Sequence, residues 1–162
     1  MILKIIMILG ALFGFIHALK IKGFYTRVIN WSMVVAVGAT FTQVPIIIQD
    51  AYYLFALTQL GVIIYGISGS DFSVEKKSVV TASGVLSLIP FLLFFNLSGF
   101  YLEIAALTGV IQIILFVYAI KKDVQSYKEE MGFLVILAAD ALTRVLSFLM
   151  FQFLLLYTEV FR

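Results

Sequence analysis

Asp140 and Arg144 are the residues whose types and spacing most directly allow chemistry. They stand four apart in an otherwise apolar stretch, so a helix places them on one face, where they can pair along it. Thr143 and Ser147 extend that face. Two uses fit this spacing. The pair can neutralise itself and fix helix packing. Alternatively, Arg144 can hold an anionic group while Asp140 sets its charge or takes a proton.

Other polar residues in apolar surroundings are Gln59, Gln112, Glu103 and His17. Gln59 and Gln112 could line a hydrated path or form interhelical hydrogen bonds. Glu103 falls in the first turn of a helical stretch, where the helix dipole favours a carboxylate. The alternative makes it an outer vestibule residue or a partner for Lys4. His17 is the only histidine. It could sense pH or serve as hydrogen-bonded structure, and alone it cannot build a metal site. With no cysteine either, thiolate metal centres and disulfides are excluded, and no metal or other cofactor is expected. Gly66-Ile67-Ser68-Gly69 resembles the GxSG serine motif of rhomboid intramembrane proteases over four residues. No histidine base follows it, so the segment reads as a turn and no catalytic residue is assigned.

These groups need a scaffold, and composition says which. Of 162 residues, 63% are hydrophobic and 12% charged, and the formal net charge is +2. A soluble globule of this size cannot hide so much apolar surface, and the small charge gives no footing for nucleic acid. The chain reads as all-α: a polytopic membrane helix bundle forming one transmembrane domain over 1–162. About 20 apolar residues cross a bilayer. Six stretches qualify: Ile2–Leu19, Trp31–Ile48, Ala51–Ser68, Val79–Leu97, Phe100–Ile120 and Gly132–Tyr157. Gln49-Asp50 and Ser98-Gly99 are read as tight turns. Lys121 to Met131 is read as a solvated charged loop. Pro45 and Pro90 are expected to interrupt the second and fourth spans. Tyr and Trp residues near the proposed ends suit the headgroup region.

Lys20, Lys22, Arg27, Lys76, Lys77, Lys121, Lys122 and Lys128 fall in the first, third and fifth loops. The second and fourth loops carry no Lys or Arg. Basic loops stay cytoplasmic, which places both termini outside a plasma (inner) membrane. On the first span Gly10, Gly14 and Ala18 form a small-residue ridge that could seat another helix or a second copy, so a homo-oligomer or a partner in a membrane complex is expected.

Depth gives the Asp140–Arg144 pair its weight. Two charges near a helix centre cost about 5–7 kcal/mol on insertion scales, against roughly 4.5–9 kcal/mol returned by the Leu, Ile, Val and Phe of the same span. Insertion succeeds only if both charges face protein or water rather than lipid. The sequence therefore suggests permeation or secondary transport of a small polar or anionic solute or an ion, with Asp140, Arg144, Thr143, Gln59 and Gln112 at the centre. The competing expectation is a non-catalytic accessory or assembly subunit of a larger membrane complex. A third is a lipid- or ligand-binding pocket at Phe94, Phe95 and Phe100.

Overall fold

The computed structural model describes residues 9, 12–13, 15–21, 23–39, 44–94 and 100–160, the side chains of Ile48 and Phe94 excepted. Every regular element among them is helical. The first, α1, is described over 15–20. It is followed by α2 (Phe24–Ala39), α3 (Pro45–Ser68), α4 (Val74–Phe94), α5 (Tyr101–Asp123) and α6 (Met131–Val160). Among the described residues four helices, α3 to α6, are long and apolar enough to cross a membrane. The described part of α2 has 16 residues, and much of the expected first span lies outside the described residues, Gly10 and Gly14 included. Ala18 of that ridge is fully buried.

The expected turn at Gln49-Asp50 does not exist: both residues are helical within α3. The break stands at Val44, which is extended, and Pro45 occupies the start of α3. That position suits proline, because a first-turn N–H has no intrahelical partner to lose. Pro45 therefore opens a helix rather than interrupting one. Two polar side chains inside a 24-residue apolar helix of about 36 Å do not break it. Pro90, by contrast, does lie inside α4.

The α3–α4 turn is built locally. The Gly69 N–H donates to the Tyr65 carbonyl at 3.2 Å, and the Phe72 N–H donates to the Gly69 carbonyl at 3.3 Å. A Cβ on Gly69 would lie 2.4 Å from the Phe72 ring, so the turn needs glycine there. Ser73 Oγ then accepts the Lys76 N–H at 3.2 Å and caps α4. Glu75, Lys76 and Lys77 consequently belong to the first turns of α4 rather than to a loop. Likewise Lys121 and Lys122 are in the last turn of α5, not in the following loop. Glu75 is paired there with Lys122 and Tyr118.

Consecutive helices α2 to α6 pack as neighbours, and α6 also touches α2 and α4, which closes the bundle. A Cβ on Gly109 of α5 would meet the Ala141 carbonyl of α6 at 2.8 Å. Glycine thus lets these two backbones approach closely beside the charged face of α6. The apolar core fills the half of the bundle where α3 ends and α4 and α6 begin. Met33, Val37, Val62, Val80, Phe133, Leu134 and Leu137 pack there. The other half, among the described residues, holds a cavity.

Candidate functional site: a cavity beside a partly buried ion pair

Four helices and the end of α2 enclose a cavity of about 500 Å³. It lies where α2 and α4 finish and α3 and α5 begin. Tyr52 and Phe55 come from the start of α3, one turn apart on one face. Pro90 and Phe91 come from α4, and Tyr101 from the first turn of α5. The facing wall is α6, which presents Asp140, Thr143, Arg144 and Ser147. The lining is mainly apolar, with its polar groups concentrated on α6.

The ion pair is intrahelical. Arg144 Nε lies 3.0 Å from Asp140 Oδ2, although its N–H is not aimed along a hydrogen bond. The guanidinium is held from the far side as well. Nη1 donates to Thr108 Oγ1 at 2.9 Å and lies 3.4 Å from the carbonyls of Leu86 and Ala105. Nη2 donates to Gln112 Oε1. Gln112 in turn donates to Ser87 Oγ at 2.7 Å and to the Ser83 carbonyl at 3.3 Å. One arginine therefore ties α6 to α4 and α5 through neutral oxygen acceptors. Such charge-assisted bonds are the strong ones in a low-dielectric interior.

Both terminal nitrogens of Arg144 donate to protein groups and its Nε lies beside Asp140, so the guanidinium is largely committed within the bundle. The carboxylate is the more accessible partner: the Asp140 side chain is 23% exposed and that of Arg144 10%. Thr143 and Ser147 donate to the carbonyls of Ala139 and Thr143, at 2.9 and 2.8 Å. Their hydroxyl oxygens keep acceptor capacity towards the cavity wall they form. The site as built offers acceptors more than donors.

The remaining sequence candidates are distributed elsewhere. Gln112 serves the Arg144 web. Gln59 is fully buried against α4, with Gly84 close to its carbonyl, and does not line the cavity. Its Nε2 has no hydrogen-bond partner. Glu103 is exposed at the start of α5. It lies on the same half of the bundle as Asp140, since Arg144 reaches Ala105 two residues further along. The two carboxylates therefore share one half of the bundle. Phe100 is 72% exposed, whereas Phe95 and the Phe94 side chain lie outside the described residues.

His17 belongs to a second polar cluster, in the filled half. Its Nδ1 and the Oδ1 of Asn30 are buried without hydrogen-bond partners, both against Gly132. Nearby, Glu130 is completely buried: Lys76 Nζ lies 3.1 Å from its Oε1, and the Tyr65 hydroxyl donates to the same oxygen at 3.0 Å. The expectation of a solvated loop through Glu129-Glu130 is thus corrected at Glu130. A carboxylate flanked by Lys128, Glu129 and Met131 carries no periodic signal of burial, and only its tertiary partners reveal it.

Among the described residues no group of His, Cys, Asp or Glu could hold a metal ion. No protein-family model, curated protein or solved structure matches the chain, so the meaning of the site rests on its own geometry.

Proposed function

We propose that the chain is a small integral membrane protein through which a small polar solute permeates or is carried, with the cavity beside Asp140 as its binding chamber. The observation that carries this reading is the cavity beside the ion pair. A hollow of about 500 Å³ reaches the partly buried pair, while apolar side chains pack the other half of the bundle. A purely structural ion pair gains nothing from an adjacent hollow, because empty space forfeits packing. In this reading Arg144 positions α4, α5 and α6, and Asp140 with Thr143 meets the solute.

The reading includes six spans with both termini outside a plasma (inner) membrane. Supporting it, Arg27, Lys76, Lys77, Lys121, Lys122 and Lys128 fall at or next to helix ends on the filled side of the bundle. By the positive-inside rule that side is cytoplasmic, so the cavity opens outward.

An accessory role in a larger membrane complex keeps one specific support. The last part of α6, from Leu149 to Val160, is exposed residue after residue except at Gln152. A 30-residue helix of about 45 Å exceeds the hydrocarbon thickness, so part of it is available to a partner.

The test is flux into liposomes holding the purified full chain, measured for choline, glycine, acetate and potassium. Thr143→Phe fills the chamber from its polar wall. It is expected to abolish the flux of whichever solute passes, with the helical content and melting temperature retained. Equal flux through the folded variant would remove the chamber from the path. No flux of any solute, together with stoichiometric foreign subunits on gentle solubilisation, would favour the accessory role.

A further inference from the structure

The cavity's chemistry goes beyond a generic polar chamber. Its walls join four aromatic rings to one acid. Tyr52 and Phe55 on α3, Phe91 on α4 and Tyr101 on α5 face the α6 wall that carries Asp140. The rings of Tyr52 and Phe91 lie 6.4 Å apart at an interplanar angle of 34°, so two helices present one tilted aromatic surface. Aromatic faces carry negative potential and attract cations, most strongly where water is excluded. Neutral polar solutes gain little from such faces, and anions are repelled by them. Among the described lining residues the one cation is Arg144, whose terminal nitrogens meet Thr108, Gln112 and two backbone carbonyls while Nε lies beside Asp140. The more accessible half of the ion pair is the carboxylate.

Building on the chamber reading above, we infer that its ligand is an organic ammonium: a positively charged nitrogen next to Asp140, with an apolar body against Tyr52, Phe55, Phe91 and Tyr101. Size agrees, since about 500 Å³ lies within the range of pockets that enclose small organic molecules and far exceeds what a bare metal ion needs. The mainly apolar lining agrees too, because a small inorganic ion would find too few oxygens to replace its water. Thr143 and Ser147 supply acceptors for N–H groups of a primary or secondary amine, whereas a quaternary ammonium uses the rings and the Asp140 charge.

The experiment compares three probes of like shape: benzyltrimethylammonium, its neutral carbon isostere neopentylbenzene, and benzenesulfonate. Binding to the purified full chain in detergent is measured by calorimetry and equilibrium dialysis. The cation is expected to bind at least about 10-fold tighter than the isostere, and the anion not measurably. Phe91→Leu and Tyr101→Leu keep the bulk of an apolar wall but remove the ring face. Each is expected to weaken the cation by a factor of about 2–30 while changing the isostere less. Asp140→Asn is expected to reduce the charge preference, which the rings then sustain alone. The ring variants serve as the decisive pair if that substitution lowers the yield of folded protein.

Equal affinity for cation and isostere, tighter binding of the anion, or no saturable binding of the cation overturns the inference. So does a cation affinity indifferent to both rings. Failure of the chamber reading is separate. Ring-dependent cation binding with no flux into liposomes leaves the ligand class standing and removes transport. Flux of an uncharged solute blocked by Thr143→Phe, without cation preference, does the reverse.

Discussion

Arg144 donates towards the carbonyl that Pro90 leaves without its helical partner. In an unbroken helix the N–H of residue 90 would bond the carbonyl of Leu86. Proline has no N–H, and the Leu86 oxygen instead lies 3.4 Å from Arg144 Nη1. A proline inside a membrane helix and a charge inside the same bundle are each costly alone. Here each supplies what the other lacks: an acceptor for the guanidinium and a donor for the carbonyl. The same proline lines the cavity, so the irregular backbone sits where it borders a hollow rather than lipid.

This arrangement makes the two charges interdependent. Arg144→Met removes the ionic partner of Asp140 among the described residues and leaves Thr108, Gln112 and the Leu86 carbonyl without that donor. It is expected to destabilise the chain by about 3–5 kcal/mol, the usual cost of stranding one member of a buried pair. Adding Asp140→Asn to it is expected to recover part of that loss, because the stranded charge is gone. Unfolding of the single and double variants in detergent measures the coupling. Additive effects would mean that the two side chains do not share a common energy.

The pair itself was legible in the sequence. Two opposite charges four apart in an apolar run specify a helical face without knowledge of the fold. Their surroundings were not, because Leu86, Thr108 and Gln112 come together only when three helices pack, and one of the contributing groups is a main-chain carbonyl. The helix boundary near Pro45 was misread for a physical reason. Gln49-Asp50 has the polarity of a turn, yet a helix satisfies its own backbone regardless of two polar side chains, whereas proline constrains the backbone directly. Pro45 was the stronger punctuation. Gln59 illustrates the opposite limit: polarity predicted that it faces inward, and it does, but not which interior it faces.

The cluster at the filled end makes a second, independent expectation. Glu130 has no exposure and depends on Lys76 and Tyr65, whereas Lys76 retains some exposure and also lies 4.3 Å above the Phe72 ring. Removing the cation is therefore worse than neutralising the acid. Lys76→Met strands a buried carboxylate and is expected to cost about 3–5 kcal/mol. Glu130→Gln keeps an oxygen for the Tyr65 hydroxyl and is expected to cost about 1–3 kcal/mol. Melting temperatures of the two variants decide the matter, and the reverse order would show that Glu130 is not held as the buried member of the pair.

The turn between α5 and α6 adds a pH dependence. Tyr127 is buried there among core residues. Burial, and after it the negative charge of Glu75, pushes its phenol above the ordinary tyrosine value. In the unfolded chain that phenol ionises near pH 10, about its unperturbed value. The folded chain retains the proton to higher pH, so above that point the unfolded state binds fewer protons and stability falls as pH rises. The contribution is thus fully present below about pH 10 and is lost as pH climbs through the higher folded value. Tyr127→Phe removes the titrating group and is expected to give a shallower alkaline limb than the parent chain, with the two curves parallel at neutral pH. Melting temperatures from pH 7 to 11 test this, and identical slopes above pH 10 would place the alkaline sensitivity elsewhere.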